Sequence, residues 1–337
     1  MTPPAGTILI KAFGSAKVGM GHVYRSITLA RQLSTEFRVG LHVNDDPKVK
    51  ALVQAENFKC FVGVDVKQLI EAEGADVFVQ DQPDENGGLL EVLKSRFPRL
   101  KIVALDYFDY RNRFVDVIVN LFNQNQLEPR PDRENVRCYE GLEYAIINEE
   151  LRECASRQRE VSQKASKVLV TFGGADPAGN TEKALRLLEL IGVSEFHTHI
   201  ILGPLWQGEL HQSAGGTIQL HQSVPPSAMP EFMVDADLAF CGAGTTMLEL
   251  LSVGTPAIVI PQNPREERFS LSVEEKGAVR TLGCSVEQKD VASVRRLVNS
   301  PGEREELSRT GRSLVDGKGT ERIHGIIGEM IGERDWP

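Results

Sequence analysis

The sequence predicts an α/β protein built from two doubly wound, Rossmann-like domains that face one another across a cleft. Three observations predict it. The chain has 337 residues, roughly twice an ordinary single domain. Nearly continuous apolar runs of strand length alternate with segments of helical period, the pattern of parallel sheets covered on both faces. The alternation occurs twice, on either side of the polar stretch "NEELRECASRQREVSQKAS" (148–166). The expected boundaries are an N-terminal domain over 1–150, a partly helical linker over 151–166 and a C-terminal domain over 167–337. The last helix is free to return to the first domain.

In the first half the expected strands are "TILIKAF" (7–13), "RVGLHV" (38–43), "ADVFVQD" (75–81), "KIVALD" (101–106) and "VDVIVN" (115–120). Val23, Ile27, Ala30 and Leu33 recur at helical spacing after the first strand and give one buried face. Similar helical segments fall near 46–57 and 87–97. The second half offers "KVLVTF" (167–172), then a helix with Ala184, Leu187, Leu188 and Ile191 on one face. The strands "HTHIILG" (197–203), "GTIQLH" (216–221), "ADLAF" (236–240) and "PAIVI" (256–260) follow. Neither a short repeat nor a low-complexity tract interrupts the order.

Composition limits the function. With 38 basic and 47 acidic side chains the net charge is −9, which argues against nucleic acid or an anionic membrane surface as the main partner. No apolar run approaches the roughly 18 residues that span a bilayer, and "MTPPAGTILIKAF" lacks the pattern of a secretion signal. Cys60, Cys138, Cys154, Cys241 and Cys284 are scattered, with no CxxC pair, so neither a zinc site nor a redox pair is expected. The expectation is a cytoplasmic protein with reduced thiols, no metal and no cofactor. No oligomeric state follows from the sequence.

In doubly wound sheets ligands sit beyond the carboxyl ends of the strands, and three glycine-rich loops fall there. In "AFGSAKVGMGHVYR" (12–25), Gly19 and Gly21 permit close backbone approach before a helix that carries His22 in its first turn and Arg25 three residues on. An imidazole there suits proton transfer near neutral pH, although the same pattern also describes a tight turn with a solvated histidine. In "VTFGGADPAGNTEKAL" (170–185), Gly173 and Gly174 end a strand, and Asn180 or Thr181 is positioned as a helix cap. In "CGAGTTMLELL" (241–251), Gly242, Ala243, Gly244, Thr245 and Thr246 offer amides and hydroxyls suited to a diphosphate. Glu249 has two readings: an acceptor for ribose hydroxyls, or the far end of a capping box opened by Thr246.

These segments resemble the nucleotide-sugar hydrolases of the pseudaminic acid pathway and the related spore-coat polysaccharide biosynthesis proteins. "ADLAFCGAGTTMLELLSVGTPAIVIP" (236–261) is also similar to the lipid II-forming N-acetylglucosaminyltransferase, which shares the GT-B fold. "LDYFDYRNRFVDVIVNLFNQN" (105–125) and "GLEYAIINEELRE" (141–153) agree in order. The resemblance implies a GT-B-like architecture and hydrolysis of a UDP-linked amino-deoxy sugar with inversion, His22 serving as general base on water and Arg25 beside it. It implies a nucleotide held by the C-terminal domain, with Glu249 on the ribose and the backbone of Val224 reading uracil. Asp81, Asn123, Gln262 and Asn263 are implied on the sugar side. Two departures mark that side: "PQNPREERFS" reverses the family's Asn-Gln order, and "QDQPDE" keeps Asp81 but places Gln82 where an imidazole is usual. The alternatives are a glycosyltransferase with the same UDP-sugar site, in which His22 serves an acceptor hydroxyl, and a non-catalytic nucleotide-sugar binder.

Overall fold

The computed structural model describes residues 5–15, 19–81, 88–107, 112–122, 136–155, 159–192, 196–208, 210, 216–222 and 224–332. The chain divides into two units: residues 1–15, 22–146 and 318–337 form unit 1, and residues 16–21 and 147–317 form unit 2.

Unit 1 contains β1 (Thr7–Ala12), α1 (Gly21–Leu33), β2 (Arg38–Val43), α2 (Pro47–Ala55), β3 (Lys59–Val62), α3 (Val66–Glu73), β4 (Val77–Asp81), α4 (Leu89–Arg96), β5 (Lys101–Leu105), β6 (Val117–Asn120) and β7 (Arg137–Glu140). The strands form one seven-stranded sheet in the order β3-β2-β1-β4-β5-β6-β7. Every neighbouring pair is parallel. Strand β4 is buried throughout, which is why it reads as an unbroken run rather than an alternating one. On one face Leu9, Phe78, Ile102 and Ile118 pack with Leu69 and Ile70 of α3 and with Leu90 and Leu93 of α4.

Unit 2 contains α5 (Glu149–Ala155), β8 (Lys167–Thr171), α6 (Asn180–Ile191), β9 (His197–Leu202), β10 (Thr217–Gln222), α7 (Met229–Asp235), β11 (Leu238–Cys241), α8 (Thr245–Val253), β12 (Ala257–Val259), α9 (Pro264–Glu274), β13 (Arg280–Thr281), α10 (Gln288–Asn299) and α11 (Pro301–Leu314). The sheet order is β10-β9-β8-β11-β12-β13, again parallel throughout. Its core joins Val168, Val170, Leu238, Phe240 and Ile258 of the sheet to Leu187, Ile191, Val294 and Leu297 of the helices. Helix α12 (Gly319–Gly332) belongs to unit 1, where Arg322 donates to the Glu143 carbonyl at 2.7 Å.

Strand order reverses between β1 and β4 in one sheet and between β8 and β11 in the other. Each reversal parts two successive loops at the carboxyl edge and leaves a crevice for a ligand. His22 follows β1, Asp81 ends β4, Gly173 follows β8 and Gly242 follows β11. His22, Asp81, Gly173 and Gly242 therefore lie at the two switch points.

Gly203, which the apolar pattern marks only as the end of a strand, has a specific task. A Cβ there would lie 2.2 Å from the Gly173 carbonyl oxygen and 2.5 Å from the Gly174 Cα, so the loops after β8 and β9 touch backbone to backbone. Neither backbone can yield as a flexible side chain would. Gly203→Ala is expected to cost about 1–3 kcal/mol of stability, read as a lower urea midpoint; an unchanged midpoint would contradict this close approach.

Candidate functional site

In unit 1 the site is built on α1. Its buried stripe is Val23, Ile27, Ala30 and Leu33, with Ser26 as the polar member. His22 and Arg25 stand at the start of the helix, one turn apart. All three polar side chains converge on Asp81, which is fully buried at the end of β4. His22 Nδ1 lies 3.0 Å from Asp81 Oδ1, Arg25 Nε lies 2.9 and 3.0 Å from the two carboxylate oxygens, and Ser26 Oγ donates to Oδ2 at 2.7 Å. Arg25 Nη2 also donates to Asp81 and lies 3.0 Å from His22 Nδ1. Asp106, at the end of β5, puts Oδ2 3.7 Å from Arg25 Nη1.

These contacts set the protonation pattern. Burial by itself would raise the Asp81 carboxyl, but the charges of Arg25 and His22 and their hydrogen bonds hold it well below the usual carboxylate range. Burial would likewise lower Arg25, yet Asp81 and then Asp106 raise it above its usual value. Asp81 is thus an ionised acceptor, and an ionised carboxylate only accepts. When Nδ1 carries the ring hydrogen it donates to Asp81, which leaves Nε2 as the ring's other nitrogen. A buried carboxylate that fixes the tautomer and orientation of an imidazole equips that ring as a general base.

This placement corrects the sugar-side expectation for Asp81: its oxygens are engaged by His22, Arg25 and Ser26 in the interior, so it has no exposed face to offer a ligand. The sequence reading missed Ser26 and Asp106. Ser26 was detectable as a hydroxyl in an otherwise apolar stripe. Asp106 closes the expected strand "KIVALD", and what distinguishes it is a left-handed backbone (φ 58°) at the strand end, which sequence alone does not display. Asn120 is fully buried and pairs both amide atoms with the Tyr107 backbone at 2.8 Å, which holds the chain just after Asp106. Asn123 and Gln82 lie outside the described residues.

In unit 2 the two expected glycine-rich loops behave differently. Helix α6 is not capped by Asn180 or Thr181, because it begins at Asn180 behind Gly179. Asp176, itself left-handed (φ 48°), accepts from the N–H groups of Asn180 at 2.8 Å and Thr181 at 2.9 Å. That carboxylate already fills the anion position at the start of α6. Asn180 is fully buried and donates to the Ile260 carbonyl at 2.8 Å.

Helix α8 has the opposite character. Its cap is Gly244, no side chain closes the start, and among the described residues nothing accepts from the N–H groups of Gly244, Thr245 or Thr246. A methyl group on Gly244 would meet open space. Unsatisfied amides and the helix dipole make such an end attractive to an anion. The capping-box reading of Glu249 fails, because the helix starts at Thr245 and Thr246 lies inside it rather than at its cap. Among the described residues the Glu249 carboxylate has no hydrogen-bond or ion-pair partner. The side chain is half-buried, and burial pushes its pKa up to about 7.

The loop after β12 is partly committed to structure. Asn263 caps α9, its Oδ1 accepting from Arg265 at 3.1 Å and Glu266 at 3.0 Å, so the expected sugar-binding amide is a helix cap instead. Gln262 does lie beside the glycine loop, with Nε2 3.5 Å from where a Cβ on Gly242 would stand. Val224 is half-buried two residues beyond β10. Among the described residues no cluster of three or more His, Cys, Asp or Glu could hold a metal ion, and no helix is long and apolar enough to cross a membrane.

Two parallel-sheet Rossmann-like units with these switch points define the GT-B fold, and comparison with known proteins agrees. The chain is similar to MurG from Acinetobacter baumannii with a TM-score of 0.66 at 15% identity, covering 97% of this chain and 100% of that one. It is similar to the UDP-GlcNAc 2-epimerase from Neisseria meningitidis bound to UDP-GlcNAc with a TM-score of 0.64 at 11% identity, covering 96% and 100%. Residues 146–300 match the glycosyltransferase family 28 C-terminal domain. Over 334 residues the chain is 23% identical to the spore coat polysaccharide biosynthesis protein SpsG of Bacillus subtilis, covering 95% of this chain and 97% of that one. It is 30% identical over 284 residues to the uncharacterized protein MJ1062 of Methanocaldococcus jannaschii, covering 76% of this chain. The match spans 56% of that archaeal relative's length.

Proposed function

We propose that the protein is a glycosyltransferase that moves the sugar of a UDP-sugar to an acceptor hydroxyl. The observation that carries this reading is the buried Asp81 beneath His22 Nδ1, which turns the Nε2 lone pair into a base. Nε2 takes the acceptor proton as the acceptor oxygen bonds to the anomeric carbon. The bond from that carbon to the diphosphate breaks, its electrons leave with UDP, and a single displacement inverts the centre. The amides of Gly244, Thr245 and Thr246 stabilise the charge growing on the leaving group, more in the transition state than before it. Glu249 accepts from the ribose hydroxyls, and the Val224 backbone meets the uracil.

The resemblance in the sequence made water the attacking group. The match of residues 146–300 to a glycosyltransferase domain favours the alternative, an acceptor hydroxyl. Phosphorus NMR of UDP release from a panel of UDP-sugars, amino-deoxy sugars included, separates the two. Release that requires an added saccharide acceptor is expected. Equal release in water alone would make the enzyme a hydrolase, and UDP binding without release under either condition would make it a binder. Glu249→Ala is expected to weaken UDP binding by about 10–100-fold, the loss of a charged hydrogen bond; unaltered affinity would remove Glu249 from the ribose.

A further inference from the structure

The geometry points to Glu266 as a positioning residue that ties the phosphate loop of unit 2 to the loop after β12 and takes up a proton when a nucleoside diphosphate binds. The inference rests on the proposed diphosphate site at the start of α8. Glu266 lies in the first turn of α9, where its Oε2 accepts from the Gln262 N–H at 3.0 Å and its Oε1 from Asn263 Nδ2 at 3.2 Å. Its carboxylate also accepts from the Ala243 N–H, the amide immediately before Gly244. Its Oε2 stands 3.8 Å from where a Cβ on Gly242 would be.

One carboxylate thus fastens two loops that follow adjacent strands, β11 and β12, and lies within the row of amides that a diphosphate would use. An arriving diphosphate meets this fixed negative charge at short range, where two anions repel strongly in a partly desolvated setting. Protonation of Glu266 removes the repulsion and leaves a hydroxyl able to donate to a phosphate oxygen. The carboxyl is already placed for this: burial raises its pKa, against the pull of the Gln262, Ala243 and Asn263 hydrogen bonds and the Arg265 charge.

The other titratable groups around it are few. Arg265 and Glu267 flank it on α9, the Cys241 thiol lies at the end of β11, and Cys284 lies beyond β13. Burial raises both thiols, so each is neutral across the working range. Glu249 couples with the opposite sign: its ionised form accepts from ribose, so its share of affinity grows as pH rises through about 7. Glu266 favours the nucleotide when protonated, so its share shrinks as pH rises.

The test is titration calorimetry of UDP at pH 8, in two buffers of different ionisation enthalpy, with the wild type, Glu266→Gln and Glu249→Gln. Uptake of a fraction of a proton by the wild type and by Glu249→Gln, but not by Glu266→Gln, is expected. Relative to Glu266→Gln, wild-type affinity should fall between pH 7 and 8.5 by up to about tenfold per pH unit. The comparison cancels the titration of UDP itself. Equal proton counts and parallel pH profiles in wild type and Glu266→Gln would overturn the inference while leaving the diphosphate site intact. Absence of UDP binding by the wild type would overturn both. Should Glu266→Gln fail to fold, the proton count of Glu249→Gln decides, and zero uptake overturns the inference.

Discussion

Replacing His22 by Asn is expected to lower kcat by about 10²–10⁴-fold, the contribution of a positioned general base, while UDP affinity stays within about twofold of wild type. The asparagine amide can donate to Asp81 where Nδ1 does now, at 3.0 Å, so the buried carboxylate keeps a partner. What disappears is the basic lone pair on Nε2. His22 lies in unit 1, whereas the amides and carboxyl proposed to hold the nucleotide lie in unit 2, so binding and turnover should separate. Near-normal turnover by this variant would remove His22 from the chemistry. Lost UDP binding would mean that the residue serves structure or nucleotide affinity instead.

Asp81→Asn should produce the largest stability loss, about 3–5 kcal/mol, because it strips the ionised acceptor from a buried guanidinium. Arg25 is 11% exposed at its side chain and Asp81 is fully buried, so water cannot replace what is lost. The amide would also place a donor against the donors of Arg25 and Ser26. The acid limb of stability carries a matching signature. The folded Asp81 carboxyl lies below its unfolded value of about 3.9. Its stabilisation is therefore complete above that value and is lost as pH falls towards the folded pKa. Urea unfolding of the wild type should weaken between pH 5 and pH 2 more steeply than that of Asp81→Asn. Parallel acid limbs, or a variant as stable as the wild type at pH 7, would contradict the ion pair as the organiser of this site.

The fold was largely legible because its central strands are buried on both faces and spell themselves as apolar runs. "RVGLHV" is β2 residue for residue, and "ADVFVQD" contains β4. The strands that escaped lie at sheet edges. Strands β3 ("KCFV") and β7 ("RCYE") are edge strands, four residues long and only partly buried, while β13 has two residues. Helix α3, of eight residues, shows too few turns to establish a period.

The candidate site was legible where a residue type has a chemical meaning of its own. His22, Arg25 and the glycines at 242 and 244 drew attention by identity and position. The roles of acids and amides were not legible, because they depend on the partner each one meets. Asp81 turns inward to a histidine 59 residues away in sequence, Asp176 closes a helix, and Asn263 caps another. Glu249 went the other way: its spacing from Thr246 suggested a local cap, but the helix is capped two residues earlier, at Gly244, and among the described residues the carboxyl has no partner. A shift of two residues in a helix boundary was enough to change the meaning of the motif.

Central to this account is a nucleotide held by the loop after β11 and the start of α8. The most direct measurement is the electron density of crystals soaked with UDP. The account predicts the diphosphate within hydrogen-bond distance of the Thr245 and Thr246 amides and the ribose hydroxyls on the Glu249 carboxylate. Density for UDP elsewhere on the chain, or a bound nucleotide with Glu249 turned away from the ribose, would contradict it.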